Sequence, residues 1–120
     1  MAQVNQCCIR DQDLCLPYSS KLFELITKKY TYAILVLLDK YGKLRFNEIQ
    51  RKIDGMTQRI LSIRLKELED VNLVKREVVS EEPIKVYYYL TTEGKAVKNA
   101  MQILITVINL IDKDKNAYMC

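Results

Sequence analysis

Hydrophobic positions along the chain switch between two spacings. Leu22, Phe23, Leu25 and Ile26 supply the apolar face of a first helix, opened after Pro17 by Ser19 or Ser20 as N-cap. The run Tyr32-Ala33-Ile34-Leu35-Val36-Leu37-Leu38 is apolar almost all round, which predicts a central core helix over about Lys29 to Tyr41, stopped by Gly42. Lys43-Leu44-Arg45 is short enough for an extended segment. Phe46, Ile49 and Ile53 then recur at helical spacing, and Asp54-Gly55 marks a turn. Thr57 is a good N-cap for the next helix, about 57–71, whose Leu61, Leu65 and Leu68 form one stripe. Beyond it the period drops to two. Leu73 to Ser80 and Ile84 to Leu90 alternate and are rich in β-branched and aromatic residues, so they predict an antiparallel hairpin across Glu81-Glu82-Pro83. Thr91 or Thr92 caps a last helix, 92–112.

The order is helix, helix, short strand, helix, turn, helix, hairpin, helix. Two helices joined by a tight turn and followed by a two-stranded wing define the winged helix-turn-helix. The predicted fold is thus mainly α with a small β-hairpin wing. A chain of 120 residues fits one domain, 1–120, with residues 1–16 as an N-terminal arm. Met1 to Gln12 lacks an apolar stretch, so no leader is expected. The most apolar window, Ala100 to Ile111, is too short for the ~20 residues of a membrane span. A cytoplasmic protein is the expectation.

Composition sharpens this picture through charge. The formal net charge is +4, but Lys43 to Lys66 alone holds seven basic against two acidic groups, while the rest holds twelve against thirteen. The whole positive excess sits around the predicted turn and the helix after it, as a single anion-facing surface requires. A helix fits the major groove of B-DNA, and the start of a recognition helix meets the base edges. Thr57, Gln58, Arg59 and Ser62 face outward there. Arg forks onto guanine, Gln onto adenine, and small hydroxyls meet phosphate or base. Lys66, one turn on, is placed for phosphate, and Arg45, Arg51 and Lys52 flank the turn as phosphate clamps. Arg64 borders the buried stripe and is either a DNA contact or an ion-pair partner of Glu67 or Glu69. In the wing, Lys85 is a candidate for the backbone or minor groove, whereas Glu81 and Glu82 at the tip repel phosphate. The alternative is a winged helix that uses the same basic face on an acidic protein.

The last helix carries more apolar surface than one small core covers. Val97, Met101, Leu104, Ile108 and Ile111 form one stripe, and Ala96, Ala100, Ile103, Val107 and Leu110 a second beside it. One side suits the chain's own core and the other a second copy; a monomer that buries the helix fully is the alternative. A two-fold dimer presents two recognition helices about one DNA turn, ~34 Å, apart.

Catalysis is not expected. Histidine is absent, no nucleophile–base cluster appears, and no glycine-rich phosphate loop is present. Cys7-Cys8 is not a chelating spacing, so neither a metal nor any cofactor is expected. The four cysteines, Cys7, Cys8, Cys15 and Cys120, are free thiols, crosslinks or oxidant sensors; Cys15 stands out because it precedes the first helix. The sequence names no small-molecule effector.

Several spaced motifs are similar to the HxlR-type transcriptional regulators, a branch of the MarR-like winged-helix group. Cys15-Leu16-Pro17 resembles their Cys-Pro opening and Lys29-Tyr30-Thr31-Tyr32-Ala33-Ile34-Leu35 their Lys-Trp-Thr…Ile-Leu segment. Arg45-Phe46-Asn47-Glu48-Ile49 resembles Arg-Phe-Asn-Glu-Leu, and Gln58 through Arg64-Leu65-Lys66-Glu67-Leu68-Glu69 the recognition helix. Pro83, Lys85-Val86, Tyr89-Leu90-Thr91 and Gly94 resemble the wing and the start of the last helix. Tyr30 replaces the usual Trp, Thr27-Lys28 a Gly-Gly, and Leu16 separates the cysteine from Pro17. The resemblance implies a homodimeric DNA-binding regulator with first and last helices at the dimer interface. It also implies a redox switch in some relatives, at the position of Cys15.

Overall fold

In the computed structural model Ile34, Leu35 and Leu38 of the apolar run lie at the centre of the core, and the other elements assemble around them. The structure describes residues 21–79 and 82–112. They form α1 (Lys21–Ile26), α2 (Thr31–Tyr41), β1 (Lys43–Leu44), α3 (Phe46–Lys52), α4 (Gln58–Asp70), β2 (Val74–Val79), β3 (Lys85–Leu90) and α5 (Thr92–Ile111). Ile34, Leu35 and Leu38 of α2 are buried together with Leu25, Ile49, Ile53, Leu61, Leu65, Leu68, Leu73 and Val74. One core thus takes side chains from every helix up to α4 and from the start of the wing. The cysteines, the Ser19 or Ser20 cap, the N-terminal arm and Glu81 lie outside the described residues.

The helix expected from Lys29 begins two residues later, because Tyr30 adopts a left-handed conformation with φ of 76°. That conformation is costly for a bulky side chain and persists where surroundings fix it. Here the Tyr30 ring is buried in the core and its hydroxyl donates to the Gly55 carbonyl at 3.3 Å. Thr31, fully buried, donates from Oγ1 to the Leu25 carbonyl at 2.8 Å and so closes the α1–α2 corner. Gly42 ends α2 as expected, with φ of 84° and its N–H donating to Leu38 at 2.9 Å.

The short strand expected at Lys43-Leu44-Arg45 is present as Lys43-Leu44, and it joins the expected hairpin as a third strand. Lys43-Leu44 pairs antiparallel with β3, giving the order β1-β3-β2 with Leu44 opposite Tyr88 and Val74 opposite Leu90. Tyr88 and Leu90 turn toward the core, while Lys85, Tyr87 and Tyr89 alternate onto the other face. Thr91 joins wing to α5: its Oγ1 donates to the Asn72 carbonyl at 2.7 Å and accepts from Gly94 N–H at 2.9 Å.

Of the two apolar stripes on α5, only Val97 and Met101 pack on the chain's own core. Leu104, Ile108 and Ile111 of the first stripe and Ile103, Val107 and Leu110 of the second are exposed, Leu110 at 78%. Lys98 of α5 is only 12% exposed and is bonded to Asp39 of α2 at 2.7 Å. Among the described residues no helix is long and apolar enough to cross a membrane.

Candidate nucleic-acid interface

Two short helices and the turn between them build the candidate surface. α3 is held at its start by Arg45 N–H, which donates to the Glu48 carboxylate at 2.8 Å. Ile53 and Met56 bury the turn from below, and Gly55 makes the bend with φ of 80°. α4 opens at Thr57, whose Oγ1 accepts from Ile60 N–H at 3.1 Å. The cap satisfies a backbone donor that the helix itself cannot.

Burial of Leu61, Leu65 and Leu68 fixes the rotation of α4. At 3.6 residues per turn the opposite side must face out. Thr57, Gln58, Arg59, Ser62 and Lys66 are all exposed there. Arg45, Arg51 and Lys52, before and at the end of α3, are exposed too. Among the described residues none of Arg45, Arg51, Arg59 and Lys66 forms an ion pair with a carboxylate. Lys52 lies over the Tyr41 ring at 4.6 Å from its centroid, with Lys40 at 5.2 Å. The surface around the turn therefore combines uncompensated cations with hydrogen-bond donors.

The wing adds less. Lys85 is half-buried on the face of the sheet turned from the core, two residues after Pro83. Lys43 on the same sheet is already engaged, bonded to Glu77 and lying 5.4 Å over the Tyr89 ring. Glu82 is exposed.

Arg64 takes the structural role of the two left open. Its guanidinium donates to Glu67 at 2.6 Å and its Nε to the Lys29 carbonyl at 3.2 Å. Lys28 reaches Glu67 from the other side at 2.8 Å. The Lys28 ammonium, and next the Arg64 guanidinium, hold the Glu67 carboxyl below its ordinary pKa. These contacts clamp α4 to the α1–α2 corner. Of the two partners that the sequence offers, Glu67 and Glu69, Arg64 takes Glu67 at i+3, while the Lys28 contact crosses 39 positions and leaves no local signal.

Helix, turn and helix, with a sheet wing behind and a cationic outer helix, define a winged helix-turn-helix protein. The chain belongs to the HxlR-like helix-turn-helix family, whose model matches residues 25–115. This is a family of helix-turn-helix transcriptional regulators. The chain is 40% identical over 87 residues to the regulator YodB of Bacillus subtilis, covering 72% of this chain and 76% of that protein. It also resembles the solved structure of YodB in its reduced form, at 32% identity with a TM-score of 0.73, covering 86% of this chain and all of that one. The redox regulator HypR in its oxidised form matches at 31% identity with a TM-score of 0.67, covering 78% of this chain and 94% of that one.

Proposed function

We propose that the protein is a sequence-specific regulator that binds double-stranded DNA as a homodimer, with α4 of each copy in a major groove. The observation that carries this reading is the outer face of α4. Gln58, Arg59 and Ser62 stand exposed at its start for base edges, and Lys66 a turn later for phosphate. Arg45, Arg51 and Lys52 clamp the backbone beside the turn, and Lys85 touches it from the wing. Thr57 caps the helix and keeps a hydroxyl hydrogen for a phosphate oxygen.

The dimer reading is supported by the exposed apolar half of α5. A groove of about 620 Å³ continues that surface toward the α1–α2 corner, lined by Tyr30, Tyr32, Met101, Leu104, Ile105 and Ile108. A second copy covers both. α1 and α5 then form the interface, and the two α4 helices meet successive turns of one duplex.

The test is a titration of duplex DNA from upstream of the protein's own gene at two salt concentrations. Log affinity is expected to fall by roughly 0.9 per phosphate neutralised as log salt rises. Arg59→Ala is expected to cost ~1–3 kcal/mol on the specific site and little on random duplex. Absence of binding at low salt, or equal loss on both duplexes, counts against base reading by α4.

A redox-sensing role for Cys15 is a second reading. It is supported by the reduced and oxidised states in which YodB and HypR are known. Diamide treatment followed by non-reducing electrophoresis is expected to show a crosslinked dimer that Cys15→Ser abolishes. Unchanged migration removes the idea.

A further inference from the structure

Ile63 is a large apolar side chain on the wrong side of α4 for the core. It lies roughly opposite the buried Leu61, Leu65 and Leu68 and is 45% exposed. Ile60, one turn earlier, packs against the core, whereas Ile63 does not. Arg59 at i−4 and Lys66 at i+3 are its neighbours on the same outward face, and both are exposed. Ile63 thus stands at the rim of the cationic face, beside Arg59 and Lys66, with Glu67 of the Lys28–Arg64 clamp on its other side.

Its isolation identifies the kind of surface it meets. A protein partner recognised through apolar contact needs a contiguous patch. Among the described residues of α3 and α4, Ile63 is the one large apolar side chain that stands exposed. A single aliphatic group flanked by cations matches a surface with one small apolar feature among phosphates. In the major groove that feature is the C5-methyl of thymine, which distinguishes thymine from every other base edge. The hydrogen-bonding groups of Gln58, Arg59 and Ser62 read donors and acceptors, not this methyl.

We propose that Ile63 is a specificity-determining residue that reads a thymine methyl in the major groove. This rests on the assignment of α4 as the base-reading helix. It adds an apolar contact to a set otherwise made of hydrogen bonds, and it predicts a thymine inside each half-site, within reach of the base set by Arg59.

The experiment uses a high-affinity duplex selected from random DNA with the full-length protein. Each thymine of the half-site is replaced in turn by deoxyuridine, which removes only the methyl. At one position the wild-type protein is expected to lose roughly fourfold in affinity, as for one buried methylene-sized group. Ile63→Ala is expected to bind the thymine duplex about as weakly as wild type binds the uracil duplex, and to be indifferent to the replacement. Ile63→Val is expected to keep part of the discrimination. Circular dichroism checks that both variants remain folded, as an exposed position predicts. If binding depends on Arg59 but every thymine-to-uracil step is the same for wild type and Ile63→Ala, the Ile63 proposal is overturned and the α4 assignment stands. If binding does not depend on Arg59, both fall.

Discussion

Gly94 shows how a single residue can be required for a reason that no local pattern reveals. A Cβ built on it lies 2.1 Å from the Leu73 carbonyl oxygen, so α5 leaves the wing in a contact that only hydrogen permits. Gly94→Ala is expected to lower stability by about 1–3 kcal/mol, the usual cost of forcing extra atoms into a packed site. Thermal unfolding at fixed protein concentration measures it. In the sequence this glycine was visible only through a resemblance, since the backbone that excludes a side chain lies 21 residues earlier. Thr57 is the contrary case. A hydroxyl residue just ahead of an amphipathic stripe announces a cap, and the cap is there. Tyr30 belongs with Gly94: its left-handed backbone goes with a bond to Gly55, 25 positions away, and α2 therefore starts two residues later than periodicity predicts.

At the level of elements, α2 and α5 are joined by charge as well as by packing. Asp39 accepts from Lys98 at 2.7 Å, and Lys95 approaches it at 3.6 Å. The Lys98 hydrogen bond, opposed by partial desolvation and aided by both positive charges, holds the Asp39 carboxyl below its ordinary pKa. Glu67 is shifted the same way. For a carboxylate whose folded pKa is depressed, the stabilisation is present above its unfolded pKa. It is lost as pH falls through the folded value. The thermal midpoint is therefore expected to drop on acidification below about pH 4. Asp39→Asn is expected to lower the midpoint at neutral pH and to flatten that acid slope. A slope identical in wild type and variant would show that the pair contributes nothing measurable. The helices, the hairpin and the outward side of α4 follow from periodicity, because a buried stripe fixes the opposite face. The short strand after Gly42 is expected from its place in the order, but its pairing with the wing is not. Two residues carry no period, and Lys43-Leu44 becomes a strand only because β3 offers an edge.

For the molecule as a whole, the cationic surface and the bare half of α5 lie on different elements and predict separable behaviour. Leu110→Lys together with Val107→Lys is expected to lower the sedimentation coefficient to that of a monomer. Affinity for a full two-half-site duplex is expected to fall with it, while weak binding to a single half-site remains. Loss of both on the same variant would instead indicate damage to the fold. The width of the apolar arc on α5 could be read from the sequence, but not where along the helix the chain's own core would stop. The structure puts that limit after Met101.

The uncovered length of α5 has a thermodynamic corollary. If side chains such as Ile103 and Leu110 lose contact with water only when two molecules meet, association and folding become linked equilibria. Diluting the protein would then lower its melting temperature, and adding operator DNA would raise it, without any change in the covalent chain.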